Sequence, residues 1–266
     1  MKTLHIIMPM AGEGSRFKDA GYTVPKPLIK FEGKELYRHA LDSLKFSDLE
    51  IKNEYKQEIP IKYTFIVRKE FITDYNIEEE IHKYYPKANI LSVEKTTRGA
   101  LETVMLASDL IDDNDYLISM DCDIKFDCKT YCEKIYYKCV TNGIDPMVLS
   151  FNSNNPIYSY IKPCNENYGD EVAEKKTISN SALGGCYCLG GGDRFKSVAK
   201  EYIKDYDNGN IVSKELYLSL IFNYIVNKYH TLIRIINMNL KNDHYWSLGT
   251  PYDLEHYNYN RNIWDV

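Results

Sequence analysis

The sequence predicts a single α/β domain in which helices cover both faces of a mostly parallel, mixed central sheet. Strand and helix patterns alternate over the first half of the chain, which is typical of parallel strands joined by helical crossovers. The first apolar segment runs directly into a glycine-rich loop, as buried strands of such sheets do. A length of 266 residues suits one large domain and is short for two. We therefore expect three layers, α/β/α, with a small extension in the second half.

Seven segments rich in β-branched or aromatic residues are predicted strands. They are Thr3 to Met8, Ile61 to Val67, Asn89 to Val93, Tyr116 to Met120, Met147 to Phe151, Ala182 to Leu189 and Thr231 to Ile236. Six segments with helical periodicity lie between them. They are Leu36 to Leu44, Ile77 to Tyr84, Ala100 to Leu110, Lys129 to Val140, Arg194 to Tyr206 and Ser213 to Val226. Predicted loops at Asn152 to Pro156 and Cys164 to Asp170 break up the second half, which indicates an antiparallel extension.

Composition excludes several classes of protein. The formal net charge of -5 and the isoelectric point near 5.8 argue against a nucleic-acid-binding protein, which needs a clustered basic surface. No apolar run reaches the ~18 residues of a membrane span, and the opening segment is too quickly interrupted for a signal peptide. We expect a cytoplasmic chain with neither nucleic acid nor membrane as a partner.

The seven cysteines are interpreted as reduced thiols, because an odd number in an ordinary large domain does not indicate a disulfide framework. Cys128, Cys132 and Cys139 fall on one face of a predicted helix. Core packing explains them better than zinc, since no C-x-x-C pair accompanies them.

The loop after the first strand carries two glycines and an arginine, and we call it the glycine loop. Its residues are Met10, Ala11, Gly12, Glu13, Gly14, Ser15, Arg16 and Phe17. Glycines allow backbone N–H groups to approach phosphate oxygens, and Arg16 adds a charged fork. Phe17 stands where a dinucleotide fingerprint requires a third glycine, and the chain has no G-K-S or G-K-T tripeptide. A dinucleotide site and a Walker loop are both excluded.

A lysine between two prolines follows nine residues after Arg16, in the segment Pro25-Lys26-Pro27-Leu28. Because the prolines fix φ on both sides, they restrict the direction of the Lys26 ammonium. The alternative is a surface turn in which Pro-Lys-Pro only ends a loop. The presence of both segments just after the first strand favours a phosphate-binding function.

Two carboxylates, Asp121 and Asp123, follow the fourth predicted strand directly, separated by Cys122. Carboxylates so placed can approach one hard cation, and Mg²⁺ typically takes one or two of them together with phosphates and waters. The alternative is a turn in which Asp123 caps its own backbone. The strand end and the glycine loop lie on the same edge of the predicted sheet, which favours a metal.

The glycine loop together with Pro25 to Leu28 resembles the N-terminal signature of the sugar-phosphate nucleotidyltransferase superfamily, whose Rossmann-like fold is similar to that of the GT-A glycosyltransferases. Three further segments resemble motifs of this family in the same order. They are Arg98-Gly99-Ala100-Leu101-Glu102-Thr103-Val104, Glu174-Lys175 and Leu248-Gly249-Thr250-Pro251-Tyr252-Asp253-Leu254. The resemblance covers the whole chain and implies one domain over residues 1–266, with nucleotide bound by about 1–150 and acceptor by 151–266.

The resemblance implies an enzyme of class EC 2.7.7, which joins the nucleoside monophosphate of an NTP to a phosphorylated small metabolite and releases pyrophosphate. It implies Arg16 and Lys26 as catalytic residues. It implies nucleotide binding by Met10, Ala11, Gly12, Glu13, Gly14, Ser15, Arg98, Gly99 and Asp121. It implies that Glu174 and Lys175 contact the acceptor. The alternative interpretation is that they belong to a solvent-exposed run of charged residues over Glu171 to Lys176. Asp121 and Asp123 are the implied ligands of Mg²⁺, for which Mn²⁺ is a substitute.

The chain departs from the family at one metal position. Many relatives place an aspartate two residues before the glycine of G-T-P, where this chain has Ser247. Asp123 or Asp243 can take its place, and we expect Asp123. A phosphate acceptor is largely dianionic at pH 7, so no general base is expected, and His244 is interpreted as structural.

The resemblance also gives expectations for the nucleotide and the acceptor. The chain has no C-terminal extension and so is similar to short cytidylyltransferase members, which favours CTP over UTP or dTTP. A sugar or polyol phosphate for capsule polysaccharide biosynthesis is the expected acceptor, with choline phosphate or a phosphorylated amino acid derivative as alternatives. A homodimer is a further expectation. The rival functions are a GT-A glycosyltransferase and a non-catalytic nucleotide-binding regulator.

Overall fold

A computed structural model describes residues 2–46, 57–239 and 241–257 of the chain. The strands are β1 (Leu4–Pro9), β2 (Lys30–Phe31), β3 (Lys34–Glu35), β4 (Ile61–Arg68), β5 (Asn89–Val93), β6 (Tyr116–Met120), β7 (Ile124–Asp127), β8 (Met147–Asn152), β9 (Ser159–Asn165), β10 (Tyr168–Glu174), β11 (Ser181–Gly191), β12 (Ile233–Asn237) and β13 (His244–Ser247). The helices are α1 (Ser15–Asp19), α2 (Leu36–Asp42), α3 (Lys69–Tyr75), α4 (Ile77–Tyr84), α5 (Ala100–Met105), α6 (Lys129–Val140), α7 (Gly192–Asp207), α8 (Ile221–Tyr229) and α9 (Pro251–Glu255). Short 3₁₀ turns lie at Lys26–Leu28 and Ser108–Leu110.

The main sheet is mixed, with the order β5-β4-β1-β6-β11-β8-β12-β10-β9. The first four strands in this order are parallel to one another. From β11 onward in this order the neighbouring strands are antiparallel, except that β12 is parallel to β8. The expected parallel sheet is therefore confined to the first half of the chain, and the expected antiparallel extension is confirmed.

Period-two alternation along the central strands divides the core between the two faces of the sheet. In β1, Leu4, Ile6 and Met8 belong to one apolar cluster, whereas Ile7 belongs to the other. Helices α2, α4 and α6 contribute to the first cluster, and α5, α7 and α8 contribute to the second. His5 is the buried polar exception in β1, and its ring bonds Asp115 at 3.1 Å and Thr64 at 2.8 Å.

A third, smaller cluster joins the glycine loop to the last strand. Phe17 packs there with Ile29, Leu36, Trp246 and Leu248. Beside it, β13 pairs antiparallel with β7, so that Ser247 lies opposite Ile124. The cluster and this pairing hold the glycine loop and β13 beside the strand end that carries Asp121 and Asp123.

Every predicted strand is present, as are all six predicted helices, although two of the helices are markedly shorter than predicted. The predicted helix Ser213 to Val226 begins only at Ile221, because Leu216 is drawn into backbone hydrogen bonds with Arg98 and Leu101. The predicted helix Ala100 to Leu110 ends at Met105 and resumes as a 3₁₀ turn.

The predicted loop at Cys164 to Asp170 is wrong, because β9 and β10 form a tight hairpin there, with Tyr168 opposite Asn165. The prediction also missed the short strands β2, β3, β7 and β13 and the helices α1, α3 and α9. Within the described ranges, no helix combines the length and the apolar character that crossing a membrane requires.

Candidate active site

The glycine loop leaves β1 at the edge of the sheet and turns into α1. The Met10 amide donates to the Ile66 carbonyl at 2.7 Å, which fixes the loop to β4. Gly14 adopts φ +63° at the N-terminus of α1, a conformation that favours glycine. A Cβ added at Gly14 would lie 3.2 Å from Lys26 Cβ, so the two predicted phosphate-binding segments are in contact.

Lys26 bridges from the glycine loop to the end of β6. Its Nζ donates to Asp123 Oδ2 at 2.9 Å, and the two side chains are 25% and 18% exposed. Burial alone would lower the pKa of Lys26, but the negative charge of Asp123, the hydrogen bond to it and a smaller contribution from Asp121 raise the pKa above its ordinary value. Lys26 is therefore a permanently charged cation held at the carboxylate pair.

Asp121 is positioned by an irregularity in the neighbouring strand. The register between β11 and β8 shifts between Leu183 and Tyr187, and within this stretch Gly185 has φ +69°. The Gly185 carbonyl accepts from the Asp121 amide at 2.8 Å, and a Cβ added at Gly185 would lie 2.7 Å from Asp121 Oδ2. Only glycine leaves room for this carboxylate.

The pKa of Asp121 rises from its ordinary value of 3.8 to about 7, first because of burial and second because of the Asp123 carboxylate. Lys26 opposes that rise. The single positive charge of Lys26 does not balance the two neighbouring carboxylates of Asp121 and Asp123, so the site would stabilise a further cation.

Asp123 is held by the C-terminal motif. Its carbonyl accepts from the Leu248 amide at 2.7 Å, and a Cβ added at Gly249 would lie 2.6 Å from Asp123 Oδ2. Glycines therefore face both carboxylates, one from β11 and one from the G-T-P motif.

Asp121 and Asp123 are the residues that would hold Mg²⁺. Within the described ranges, no group of three or more histidine, cysteine, aspartate or glutamate side chains is placed to bind a metal ion. Two carboxylates still fit Mg²⁺, since this ion normally completes its shell with substrate phosphates and waters.

Ser247 and Asp243 differ in their placement. Ser247 Oγ donates to Asp253 Oδ2 at 3.3 Å and lies beside the Gly249 and Asp123 contact. Asp243 is engaged elsewhere, where its Oδ2 accepts from the Asn239 amide at 2.7 Å and from Cys128 Sγ at 3.6 Å. The structure therefore does not bring Asp243 to the carboxylate pair.

Two adjoining clefts open at this edge of the sheet. The first has a volume of about 470 Å³, and its lining includes Arg16, Asp121, Asp123, Glu174, Gly185 and Ser247. The second has a volume of about 690 Å³, and its lining includes Arg16, Asn154, Asn180, Trp246, Tyr252 and Asp253. They share Arg16, Ile157, Tyr158, Tyr245, Ser247 and Thr250, so that the clefts are continuous.

Solved structures with the same fold cover nearly the whole chain. A nucleoside-diphosphate-sugar pyrophosphorylase from Vibrio cholerae RC9 matches with a TM-score of 0.73 and 22% identity, over 97% of this chain and 99% of that one. The chain has the fold of sugar-phosphate nucleotidyltransferases. The expectation of fold that the sequence motifs raised is thereby confirmed.

Two further solved structures have the same fold as this chain. A protein described as a glucose-1-phosphate thymidylyltransferase from Bacillus anthracis matches with a TM-score of 0.71 and 19% identity, over 98% of this chain and 96% of that one. The inositol-1-phosphate CTP transferase from T. maritima matches with a TM-score of 0.69 and 14% identity, over 98% and 95%. A scan against protein-family models finds no match. A search of curated proteins by sequence finds none either.

This fold brings five of the predicted site residues to one place. Arg16, Asp121, Asp123 and Glu174 line the first cleft, and Lys26 contacts it through Asp123. Met10 and Ala11 are buried at the end of β1, while the loop residues beyond them are largely solvent-accessible. The exposed backbone of residues 12–15 and the Arg16 side chain are therefore the parts of this segment that a ligand can reach.

The side chain of Arg98, a predicted nucleotide-binding residue, points away from both clefts. Its guanidinium pairs with Glu102 at 2.7 Å and with Asp207, and it lines neither cleft. Gly99 has a packing role, since an added Cβ would lie 2.5 Å from the Leu216 carbonyl oxygen. The helical pair Arg98 and Glu102 explains the arginine without a nucleotide.

The side chains of Glu174 and Lys175 lie in different surroundings. Glu174 accepts from Ser219 Oγ at 2.7 Å and from Ser159 Oγ at the wall of the first cleft. Lys175 has φ +52°, and its Nζ donates to Tyr217 Oη at 3.3 Å. The structure thus places Glu174 in the cleft, while Lys175 reaches it only through Tyr217.

Sequence reasoning missed the tyrosines of the first cleft, Tyr158, Tyr187, Tyr217 and Tyr245. Burial raises the pKa of both Tyr187 and Tyr245, and the neighbouring carboxylate of Asp121 adds to this effect. Tyr187 and Tyr245 both lie within strands, where the sequence alone predicts that a tyrosine packs in the core. Their only sequence signal is proximity to the glycines at 184–185 and to the G-T-P motif.

Proposed function

We propose that this chain transfers the nucleoside monophosphate of an NTP to a phosphorylated small metabolite and releases pyrophosphate. One observation carries the proposal. Lys26, anchored at the glycine loop, and Asp123, at the end of β6, meet at 2.9 Å beside a cleft that also contains Asp121 and Arg16. Phosphate-directed cations and metal-directed carboxylates thereby converge on one point in a fold shared with nucleotidyltransferases.

The reaction requires alignment and charge neutralisation more than proton transfer. An acceptor phosphate monoester is largely dianionic at pH 7, so its oxygen can attack the α-phosphorus in line without a general base. Mg²⁺, when bound by Asp121 and Asp123, supplies charge stabilisation to the phosphates. Lys26 and Arg16 would meet the negative charge that develops on the NTP phosphates, and loop N–H groups would orient them.

The position of Lys26 favours nucleotidyl transfer over glycosyl transfer. A GT-A glycosyltransferase shares a D-x-D metal pair but has no need of a lysine at the phosphate under attack. In this chain the Lys26 ammonium lies at the D-x-D pair itself, which suits formation of a nucleotide-linked product. The third reading, a non-catalytic regulator, requires that nucleotide bind without turnover.

The finer substrate proposals rest on resemblance. We propose CTP as the nucleotide, with UTP or dTTP next, and a sugar or polyol phosphate for capsule or other surface polysaccharide as the acceptor. A matching structure carrying the name inositol-1-phosphate CTP transferase supports both choices. Cytoplasmic location and a homodimer belong to the same proposal.

The test is pyrophosphate release by the purified protein with Mg²⁺, each common NTP in turn, and a pooled library of phosphorylated sugars, polyols and amino alcohols. Release with one NTP supports the reaction and identifies the base, and mass spectrometry of the product identifies the acceptor. Hydrolysis of ready-made nucleotide-sugars without pyrophosphate release would favour the glycosyltransferase. NTP binding without turnover across the whole panel would favour the regulator.

A further inference from the structure

The ammonium of Lys26 occupies a carboxylate oxygen that a metal ion would also use. Lys26 Nζ donates to Asp123 Oδ2 at 2.9 Å, and Asp123 is one of the two residues that would hold Mg²⁺. Mg²⁺ binds carboxylate oxygens at about 2.1 Å, so an ion on this oxygen would lie within about 5 Å of the ammonium. Two positive charges at that distance repel each other. The ammonium and the metal therefore compete for Asp123.

The surroundings of Asp123 leave this oxygen little freedom to serve both cations. The Asp123 carbonyl accepts from the Leu248 amide at 2.7 Å, which fixes the backbone. The Gly249 backbone lies against the carboxylate, since a Cβ added there would be 2.6 Å from Oδ2. The Asp123 side chain is only 18% exposed. A metal ion reaches this oxygen most easily when Lys26 has left it.

The backbone of Lys26 is held, whereas its side chain is flexible. Pro25 and Pro27 restrict the chain on both sides. The Leu28 amide donates to the Pro25 carbonyl at 2.9 Å, which closes a short turn around Lys26. The ammonium stands at the end of a four-carbon stem with rotatable bonds. Lys26 can therefore change its partner by side-chain rotation, with no change of fold.

Lys26 supplies the positive charge at this carboxylate pair. Its charge reaches Asp121 as well as Asp123, since it opposes the rise in the pKa of Asp121. Arg16 lines the same cleft, but within the described ranges it forms no ion pair with either carboxylate. When both carboxylates are ionised, Lys26 halves their net negative charge and so weakens the attraction for a metal ion.

We infer that Lys26 is an internal counter-ion that keeps metal off Asp123 while no nucleotide is bound. This inference rests on the metal site of the proposed function and gives Lys26 a second role, before the transfer itself. Nucleotide phosphates offer the ammonium another anionic partner, and Asp123 is then available to the metal. Metal and nucleotide should accordingly strengthen each other's binding by the same factor.

The experiment measures Mn²⁺ binding to the nucleotide-free protein at pH 8 by electron paramagnetic resonance, which reports the free ion. Lys26→Met and Lys26→Gln remove the charge, and Lys26→Arg keeps it. Glutamine still offers a hydrogen bond to Asp123, so this variant tests the charge with less disturbance to the fold. Lys18→Met is the matched control, because Lys18 is an exposed lysine of α1 outside both clefts.

We expect Lys26→Met and Lys26→Gln to bind Mn²⁺ at least tenfold more tightly than wild type, because a nearby positive charge has been removed from a partly buried site. Lys26→Arg and Lys18→Met should bind Mn²⁺ as wild type does. Mn²⁺ should also raise the melting temperature of the two neutral variants more than that of wild type, since tighter binding stabilises the fold more.

A second measurement tests the exchange of partners. Each common NTP is titrated calorimetrically without acceptor, in Mn²⁺ and in EDTA. The factor by which Mn²⁺ strengthens binding of the NTP that binds should be at least tenfold larger in wild type than in Lys26→Gln. The association of Mn²⁺ with free NTP is common to both proteins and cancels in this comparison.

Equal Mn²⁺ affinity in wild type and both neutral variants would overturn the inference and leave the proposed reaction intact. A gain in Lys26→Arg as large as that in Lys26→Gln would also overturn it, because the charge would then have no part in the effect. Failure of every variant to bind Mn²⁺ would refute the metal site itself. Failure of every NTP to bind would instead refute the proposed reaction, and the nucleotide-free titration would still decide the inference.

Discussion

Lys26 is the residue on which the proposed chemistry depends most. Its ammonium lies 2.9 Å from Asp123 Oδ2, at the meeting point of the glycine loop and the carboxylate pair. We predict that Lys26→Ala lowers kcat a hundredfold or more, because loss of one preorganised donor typically has an effect of about this size. Steady-state pyrophosphate release measures it. Lys18→Ala, an exposed lysine of α1 outside both clefts, should retain normal turnover, and near-normal kcat in Lys26→Ala would contradict the assignment.

Asp121 should make the metal-free protein less stable as pH rises. Burial and then the neighbouring Asp123 raise the pKa of Asp121 to about 7, so the folded state favours the protonated acid. Its contribution is complete below the ordinary value of 3.8 and is lost as pH rises to about 7, at about 1.4 kcal/mol per pH unit.

Asp121→Asn removes this titration. Urea unfolding in EDTA at pH 5 and pH 8 should therefore show wild type losing more free energy of unfolding than the variant, by up to a few kcal/mol. The same pH dependence in both proteins would show that Asp121 titrates normally.

At the scale of elements, the bulged stretch of β11 positions Asp121. We predict that Gly185→Ala lowers turnover at least a hundredfold, because the added Cβ would lie 2.7 Å from Asp121 Oδ2 and displace it. Gly209→Ala is a matched control, since Gly209 also has a left-handed φ, +74°, but open space around it.

Both variants should lose about 1–2 kcal/mol of stability from the left-handed alanine, measured by urea unfolding. Pyrophosphate release then separates them, since only Gly185→Ala should lose activity. Equal turnover in the two variants would mean that the bulge has no role in placing the carboxylate.

The elements also show what a sequence can and cannot predict. Asp121 and Asp123 were predicted because a strand end followed by two carboxylates is a local pattern. Tyr187 and Tyr245 were missed because a tyrosine in a strand carries no sign of which face borders a cleft. The start of α8 was misjudged because Leu216 bonds to residues more than a hundred positions earlier, a contact with no local signal.

At the scale of the whole molecule, the first cleft is built from both halves of the chain. Arg16, from α1, and Asp121, at the end of β6, come from the first half of the chain, and Glu174, Gly185 and Ser247, from β10, β11 and β13, come from the second half. The sequence motifs identified the contribution of each half, whereas their juxtaposition depends on long-range strand pairing between β6 and β11. A ligand that contacts both halves should therefore stabilise the whole fold.

We predict that the active NTP with Mg²⁺ raises the melting temperature by about 5 °C or more at a hundred times its dissociation constant, where the stabilisation is about 2.7 kcal/mol. The same NTP concentration with EDTA should give a smaller shift, because no metal would then offset the repulsion between the phosphates and the carboxylates of Asp121 and Asp123. Asp123→Asn should abolish the difference between Mg²⁺ and EDTA, since it removes one of the two carboxylates. Thermal unfolding followed by fluorescence measures all three, and identical shifts with Mg²⁺ and EDTA in wild type would mean that this edge of the sheet binds nucleotide without a metal.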